Sequence, residues 1–296
     1  MRSLPARWLV CALLAGGAAA RAQSSSDVRV PGSPWLSNIE MTRATALGGA
    51  HSAAATGNDA LTNNPAGLAT ARKYHFELDG VLDGGFHTQG LIASITDSTT
   101  GPVASGLFYA HWGSGKDDGR AQGWMAGFGY AYQAGSFLFG GVTKYLRFRI
   151  PTSDDNPDGT TYRFVQDFGL LSRRGDFSLA LVVQNISTSS QPLFPLTATA
   201  GFALGNDATS HFAFDYKADL HDLDHPQHKL AAGYEFVLDA FALRAGGTWD
   251  ASHSLWWVSA GLGILTEKGR AQIAYRRRLT GDVDHVLEAG FTVYLE

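Results

Sequence analysis

The chain has 296 residues, with 23 Lys and Arg against 27 Asp and Glu, a net charge of −4 and one cysteine, Cys11. That balance leaves no basic footprint for nucleic acid, and one cysteine supplies neither a disulfide framework nor a thiolate metal cluster. Glycine is abundant, at 35 residues, and beyond the first 22 residues no apolar run approaches the roughly 20 residues a spanning helix needs, so helical membrane spanning is excluded.

Residues 1–22 read as a secretory signal peptide. Arg2 and Arg7 precede the apolar run Trp8–Ala20, and Ala20-Arg21-Ala22 puts small residues where a signal peptidase cuts. A lipoprotein reading through Cys11 fails because Val10 stands where a small residue is required. Removing Arg2, Arg7 and Arg21 from the 23 basic residues leaves 20 against 27 acidic ones, or −7, and the only thiol leaves with the leader.

Residues 23–73 show no strand periodicity. They hold the run "ATALGGAHSAAATGNDALTNNPAGLATARKY", in which Asn64-Pro65 has the chemistry of a turn: Asn bonds its own backbone and a residue before proline is pushed out of the helical region.

From Tyr74 onward, segments of about ten residues alternate apolar with polar or small side chains, the pattern of transmembrane β-strands. Fourteen are predicted: Tyr74–Asp83, His87–Thr96, Pro102–Gly113, Gly123–Gln133, Ser136–Ile150, Thr160–Ser172, Asp176–Ile186, Pro195–Gly205, Ser210–Leu220, Lys229–Leu238, Ala240–Asp250, Ser254–Leu265, Arg270–Arg278 and Asp284–Leu295. In the ninth, Phe212, Phe214, Tyr216, Ala218 and Leu220 share one face and His211, Asp215, Lys217 and Asp219 the other. A soluble sandwich alternates in the same way, so two further features decide. Every second connection is tight ("AG", "RRG", "NDAT", "TEKG"), whereas the others are longer and polar ("SGKDDGRAQ", "PTSDDNPDG", "HDLDHPQH"). With the N-terminus periplasmic, Trp124, Trp249 and Trp256 all fall at the external rim on the apolar parity, and Tyr74 and Tyr132 at the opposite end. Short periplasmic turns, long external loops and aromatic girdles describe an outer-membrane barrel. The last strand fits an insertion signal in part: Glu288, Gly290, Val293 and Leu295 have the spacing, but the chain ends in Leu295-Glu296 rather than an aromatic.

The predicted fold is therefore an all-β, 14-stranded antiparallel transmembrane β-barrel in the Gram-negative outer membrane, over residues 74–296. A lumen of that width cannot be filled by wall side chains alone, since about eight strands already bring them into contact. Residues 23–73 are expected to supply an N-terminal plug.

Three elements of that segment occur in register: Leu47-Gly48-Gly49-Ala50, then Asn58-Asp59-Ala60, then Asn64-Pro65-Ala66-Gly67-Leu68. The run resembles the N-terminal signature of FadL-type long-chain fatty-acid and hydrocarbon transporters and of the related PorV/PorQ-type outer-membrane proteins. The resemblance implies that this segment is a hatch folded into the barrel, with Leu47, Gly48, Gly49, Ala50, Asn58, Asp59, Asn64, Pro65, Ala66 and Gly67 as its motif. It also implies a non-enzymatic protein that passes small hydrophobic molecules, fatty acids or hydrocarbons, across the membrane. Two alternatives stay open: a PorV-like platform in protein secretion or surface-protein attachment, and a structural barrel. Its partners would be outer-membrane lipid with a small hydrophobic ligand or with secreted or surface proteins.

The inward parity is strongly charged. Glu77, Asp79, Arg163, Asp167, Asp215, Lys217, Glu235, Arg244, Arg276 and Glu288 form the expected lumen charge network, with Asp83, Asp250 and Arg278 on the same parity. Opposite charges across a lumen tie wall and plug together; the sharper reading is a polar permeation path. The loop "DLHDLDHPQH" matches no zinc pattern and "SDDNPDG" no calcium loop. No Gly-x-Ser-x-Gly elbow is present. No catalytic residue, metal or cofactor is expected.

Overall fold

A computed structural model describes residues 39–71, 73–84, 88–114, 121–149, 159–187, 194–220, 222–281 and 284–295. The expected signal peptide and the first part of the 23–73 segment lie outside the described residues. The strands are β1 Tyr74–Asp83, β2 Thr88–Asp97, β3 Val103–Ser114, β4 Ala121–Ala134, β5 Phe137–Arg149, β6 Thr160–Arg174, β7 Phe177–Gln184, β8 Thr197–Asn206, β9 Ser210–Asp219, β10 Gln227–Leu238, β11 Phe241–Asp250, β12 Leu255–Thr266, β13 Gly269–Arg278 and β14 His285–Leu295. Each pairs antiparallel with its sequence neighbours. β1 also pairs with β14, from Tyr74 opposite Leu295 to Asp83 opposite Val286, so the sheet closes into a barrel. Closure satisfies the backbone within the wall, the condition for a sheet to sit in hydrocarbon.

Alternation decides which face meets lipid. On β1, Phe76, Leu78 and Leu82 are exposed while Glu77, Asp79, Val81 and Asp83 are buried, and on β14 Leu287, Phe291 and Leu295 are exposed against buried Val286, Glu288 and Thr292. An outward face of Phe, Leu, Ile, Val and Tyr around the whole barrel is an unusable surface in water and a matched one in a bilayer. The external rim carries the aromatic belt: Trp249 stacks on Trp256 with centroids 5.5 Å apart, and Trp124 packs on Tyr145 at 5.5 Å. Tyr132 is exposed near the other end.

At the periplasmic end two residues suffice between several strands, as at Gly135–Ser136 and Gly175–Asp176. Gly135 and Gly175 take φ of +62° and +59°, a region costly for side-chain-bearing residues.

Residues 39–71 lie inside the barrel. A short helix, α1 (Thr42–Ala46), packs on β11–β14, and two 3-10 helices follow at Gly57–Leu61 and Pro65–Ala69, the second packed on β3–β6. Five residues cannot hold a helix on propensity alone; α1 is fully buried and shaped by the wall around it.

Candidate functional site

The candidate site is the lumen, where the segment meets the wall. Three pairs of glycines directly opposite each other on neighbouring strands make room for the first and third sequence elements and for Leu61, which follows the second. Gly233 and Gly246, partners on β10 and β11, face Leu47; Gly106 and Gly129, on β3 and β4, face Leu61; Gly140 and Gly169, on β5 and β6, face Pro65 and Asn64. A Cβ at five of the six would collide with the segment, and at Gly106 it would press on Leu61 Cδ2 at 3.2 Å. Each is thus seated against backbone, which only paired glycines permit.

Local hydrogen bonds fix the elements in these seats. Asn64 caps the second 3-10 helix: its Oδ1 accepts from the Ala66 N–H at 3.1 Å, its Nδ2 donates to the Ser52 carbonyl at 2.8 Å, and Pro65 occupies the first turn, where its missing N–H costs nothing. Asn58 donates to Ser94 Oγ at 2.6 Å and accepts from Thr96 Oγ1 at 2.9 Å. Thr248 Oγ1 donates to the Gly48 carbonyl. Leu47, Gly48, Ala50, Asn58, Asp59, Asn64, Pro65, Ala66 and Gly67 are buried, and Gly49 partly so.

On the side formed by β8–β14 and β1, the inward face is ionic and pins the segment. Asp59 is the hub: Arg270 Nη2 lies 3.3 Å from its Oδ2, His51 Nε2 3.4 Å and Arg43 Nη1 4.0 Å. Burial pushes the Asp59 carboxyl up, but Arg270, His51 and Arg43 together hold it below the usual carboxylate range. Arg270 also reaches Glu77 at 3.0 Å, and Gln272 donates to the same carboxylate at 3.1 Å. Glu235 accepts from Arg43 at 2.8 Å and from Arg244, and Arg43 continues to Asp207 at 2.7 Å. Asp79 accepts from the N–H and hydroxyl of Thr42, Asp215 from the N–H groups of His51 and Ser52, and Glu288 from Thr45 Oγ1 at 2.9 Å. Arg276 pairs with Glu40 at 2.7 Å; a separate wall-to-wall pair joins Lys144 of β5 to Asp167 of β6 at 2.7 Å on the other side.

Lys217 lines a cavity of 110 Å³ with Lys229, Arg276, Glu40, Asp219 and Asp284. Arg163 has inward parity but is exposed at the external end of β6, where its Nη1 donates to the Tyr162 carbonyl; it pairs with Leu146 of β5, but β7 stops short of it, its pairing with β6 beginning only at Phe168 opposite Val183, and Arg163 stands outside the network. Asp207, His211 and Glu235 bring ligand atoms within 4.8 Å of one another. The guanidinium groups of Arg43 and Arg244 already occupy Glu235, and Arg43 occupies Asp207, so the cation position is filled by protein charge. In the loop after β9, Asp222 accepts from the Asp224 N–H; His228, at the start of β10, has its Nδ1 2.7 Å from the Tyr216 hydroxyl of β9.

The opposite side of the lumen is largely apolar, interrupted by the Lys144–Asp167 pair. Inward positions of β1–β6 contribute Val81, Ile92, Phe108, Trp112, Met125, Val142, Leu146, Phe148 and Val165, continuous with Met41, Leu61 and Leu68 of the segment. Phe194, in the connection before β8, folds in at the external end, 6.1 Å from Trp112 and 5.5 Å from Phe148 between ring centroids. Sequence reasoning passes over this column, because "GLFYAHW" in β3 is apolar on both faces and shows no alternation to read. Arg270, Lys144 and Arg43 are missed too; Arg270 shares the parity of Arg276, which is the signal that locates it.

No protein-family model matches the chain, and no curated protein matches its sequence. Solved structures do match. They include CymD, a monoaromatic hydrocarbon channel, at 12% identity and TM-score 0.68, covering 88% of this chain and 98% of that one. The toluene transporter TodX of Pseudomonas putida is 14% identical with TM-score 0.66, over 88% of this chain and 99% of its own. The toluene transporter TbuX of Ralstonia pickettii is 11% identical with TM-score 0.65, over 88% and 99%. At such identities the likeness is one of fold: this chain shares the fourteen-stranded barrel architecture of these outer-membrane channels.

Proposed function

We propose that the protein passes small hydrophobic molecules across the outer membrane through the apolar side of its lumen, with residues 39–71 acting as a hatch. The observation that carries this reading is the apolar column from Trp112, Phe148 and Phe194 at the external mouth down to Leu61 and Leu68. A small aromatic burying about 200 Å² there gains roughly 5 kcal/mol of transfer free energy, before the cost of immobilising it. With that cost left out the dissociation constant would be on the order of 0.1–1 mM, so actual binding is weaker than this and the solute is readily released. The solved barrels named for hydrocarbons and toluene support the same class of cargo. Hydrophobic uptake requires the segment to shift along its contacts on β3–β6, where packing is non-directional, while the ionic pins on the other side hold its far end.

The test is uptake of radiolabelled toluene and a short alkane in a deletion strain carrying the wild-type protein or Trp112→Ala/Phe194→Ala. Expected is uptake above the deletion background that changes several-fold in the double variant. Uptake equal to background with wild type sinks the channel reading. Co-purification of a secreted or surface protein in that case favours the platform alternative.

A further inference from the structure

The outward face of the wall carries almost no charge, and the exceptions fall in one place. Among the described residues, the outward-pointing charged side chains in the external halves of the strands are Arg147 and Arg149 on β5 and Arg277 on β13; no Asp or Glu shares that position. At the periplasmic ends the outward charges are mixed, with Asp97 and Arg174. Arginine on the lipid face of a barrel costs roughly 2–4 kcal/mol at mid-bilayer and about 0–1 near an interface, so these side chains sit at the external headgroup level and call for an anionic neighbour.

Around β5 the arginines stand on an aromatic platform. Strand register places His111, Trp124, Arg147 and Tyr162 side by side in one row across β3–β6, with Tyr145 and Phe164 in the row beneath. Arg147 Nε donates to the Tyr162 hydroxyl at 3.3 Å and its guanidinium lies 5.9 Å from the Tyr162 ring centroid. Tyr145 packs on Phe164 at 4.7 Å and Trp124 on Tyr145 at 5.5 Å. The terminal nitrogens of Arg147 have no acidic partner among the described residues. Rigid rings hold the guanidinium in place, and a planar fork of donors suits phosphate oxygens.

We propose that Arg147 and Arg149, on the Trp124–Tyr145–Tyr162 platform, bind a phosphate of the glycolipid that forms the outer leaflet, the phosphorylated lipid A moiety of lipopolysaccharide. The rings lie against the acyl chains just below the headgroup, and the two arginines take the phosphate above them. Arg277 lies far around the barrel on β13; its sequence neighbours Arg276 and Arg278 have the lumen parity, so no second arginine shares its outward face and it has no such site.

The experiment is native mass spectrometry of the detergent-purified barrel titrated with lipid A. Wild type, Arg147→Gln/Arg149→Gln, Arg147→Lys/Arg149→Lys and Arg277→Gln are compared, each checked for heat-modifiable migration. Expected is a loss of lipid A adducts of about tenfold in the glutamine double variant, an intermediate loss in the lysine variant and wild-type adducts in Arg277→Gln. Dephosphorylated lipid A should bind wild type about as weakly as the double variant binds lipid A, an arm that needs no variant to fold. Wild-type adducts in the glutamine double variant, an equal loss in Arg277→Gln, or indifference of the wild-type protein to dephosphorylation would each overturn the proposal.

Discussion

The two sides of the lumen hold one segment by different physics. Along β3–β6 the contacts are mainly between aliphatic and aromatic side chains, in a cluster that joins Trp112, Phe108 and Leu146 of the wall to Met41, Leu61 and Leu68 of the segment. Along β8–β14 and β1 they are short and directional, through Arg270 to Asp59 and Glu77, Arg43 to Glu235 and Asp79 to Thr42. Apolar contacts exchange partners at little cost, whereas a buried ion loses most of its interaction when its partner moves away. On the hatch reading proposed above, the segment would open on the apolar side, which can slide, with the ionic side as its hinge post.

The largest break in this comparison comes from the ionic side. Arg270→Ala strands Glu77 and Asp59 together in a buried site, and removing one partner of a buried pair costs about 3–5 kcal/mol. The wall buries its outward face in lipid regardless, so heat-modifiable migration should persist while the segment loosens. Expected is a marked gain in protease cleavage after Lys73 and higher, noisier conductance in planar bilayers. Wild-type proteolysis and conductance in an inserted Arg270→Ala barrel would mean that the network does not hold the segment.

A smaller effect belongs to the apolar side. Asn64→Ala with Pro65→Ala removes a cap that serves the Ala66 N–H and the Ser52 carbonyl, and frees a fixed φ, for about 1–2 kcal/mol in all. Proteolysis and conductance should move the same way as in Arg270→Ala but less. An effect larger than that of Arg270→Ala would invert the hinge assignment.

The wall was legible in sequence because its signal repeats. Period-two alternation, turn length and tryptophan position are each weak in one strand, but they agree over fourteen, and the structure closes in that order. The site was legible only where chemistry stood out against its background. Asn64-Pro65 and the glycine run mark themselves as backbone devices, and charges such as Glu235 and Arg244 are conspicuous in an apolar wall. Which charge meets which is a matter of register across the barrel, and Arg270 contacts Asp59 over a separation no local pattern encodes. Trp112 and Phe148 are hidden for the opposite reason, since an apolar residue facing inward looks like one facing lipid. The glycine pairs, such as Gly140 with Gly169, become visible only when two strands are set side by side.

Acid sharpens the ionic side further. Asp59 is held below the usual carboxylate range against its burial, chiefly by Arg270. A depressed folded value means that its contribution is complete above the unfolded value of about 3.9 and is lost as pH falls through and below it. Cleavage after Lys73 should therefore stay low from pH 7 down to about 4 and rise below that. In Asp59→Asn the rise should be present already at pH 7 and nearly flat with acid; a variant that keeps the wild-type acid response would assign that response to other carboxylates.

The smallest effect is at the external mouth and has the opposite sign. Asp284, in the connection before β14, is pushed up to about 6, first by burial and then by the neighbouring Asp83 carboxyl, with Arg278 and Arg276 acting against the rise. A raised carboxyl keeps its proton in the folded state between about 3.9 and its shifted value, so the folded mouth is favoured at low pH and that advantage is lost as pH climbs through this window. The midpoint of heat-modifiable unfolding should fall slightly from pH 4 to pH 6 and level off above. Asp284→Asn cannot ionise and should give a shallower profile over the same range. The Asp59 window lies below about pH 4 and that of Asp284 above it, so the variant is what assigns the upper window: a wild-type slope retained in Asp284→Asn would remove Asp284 from this role.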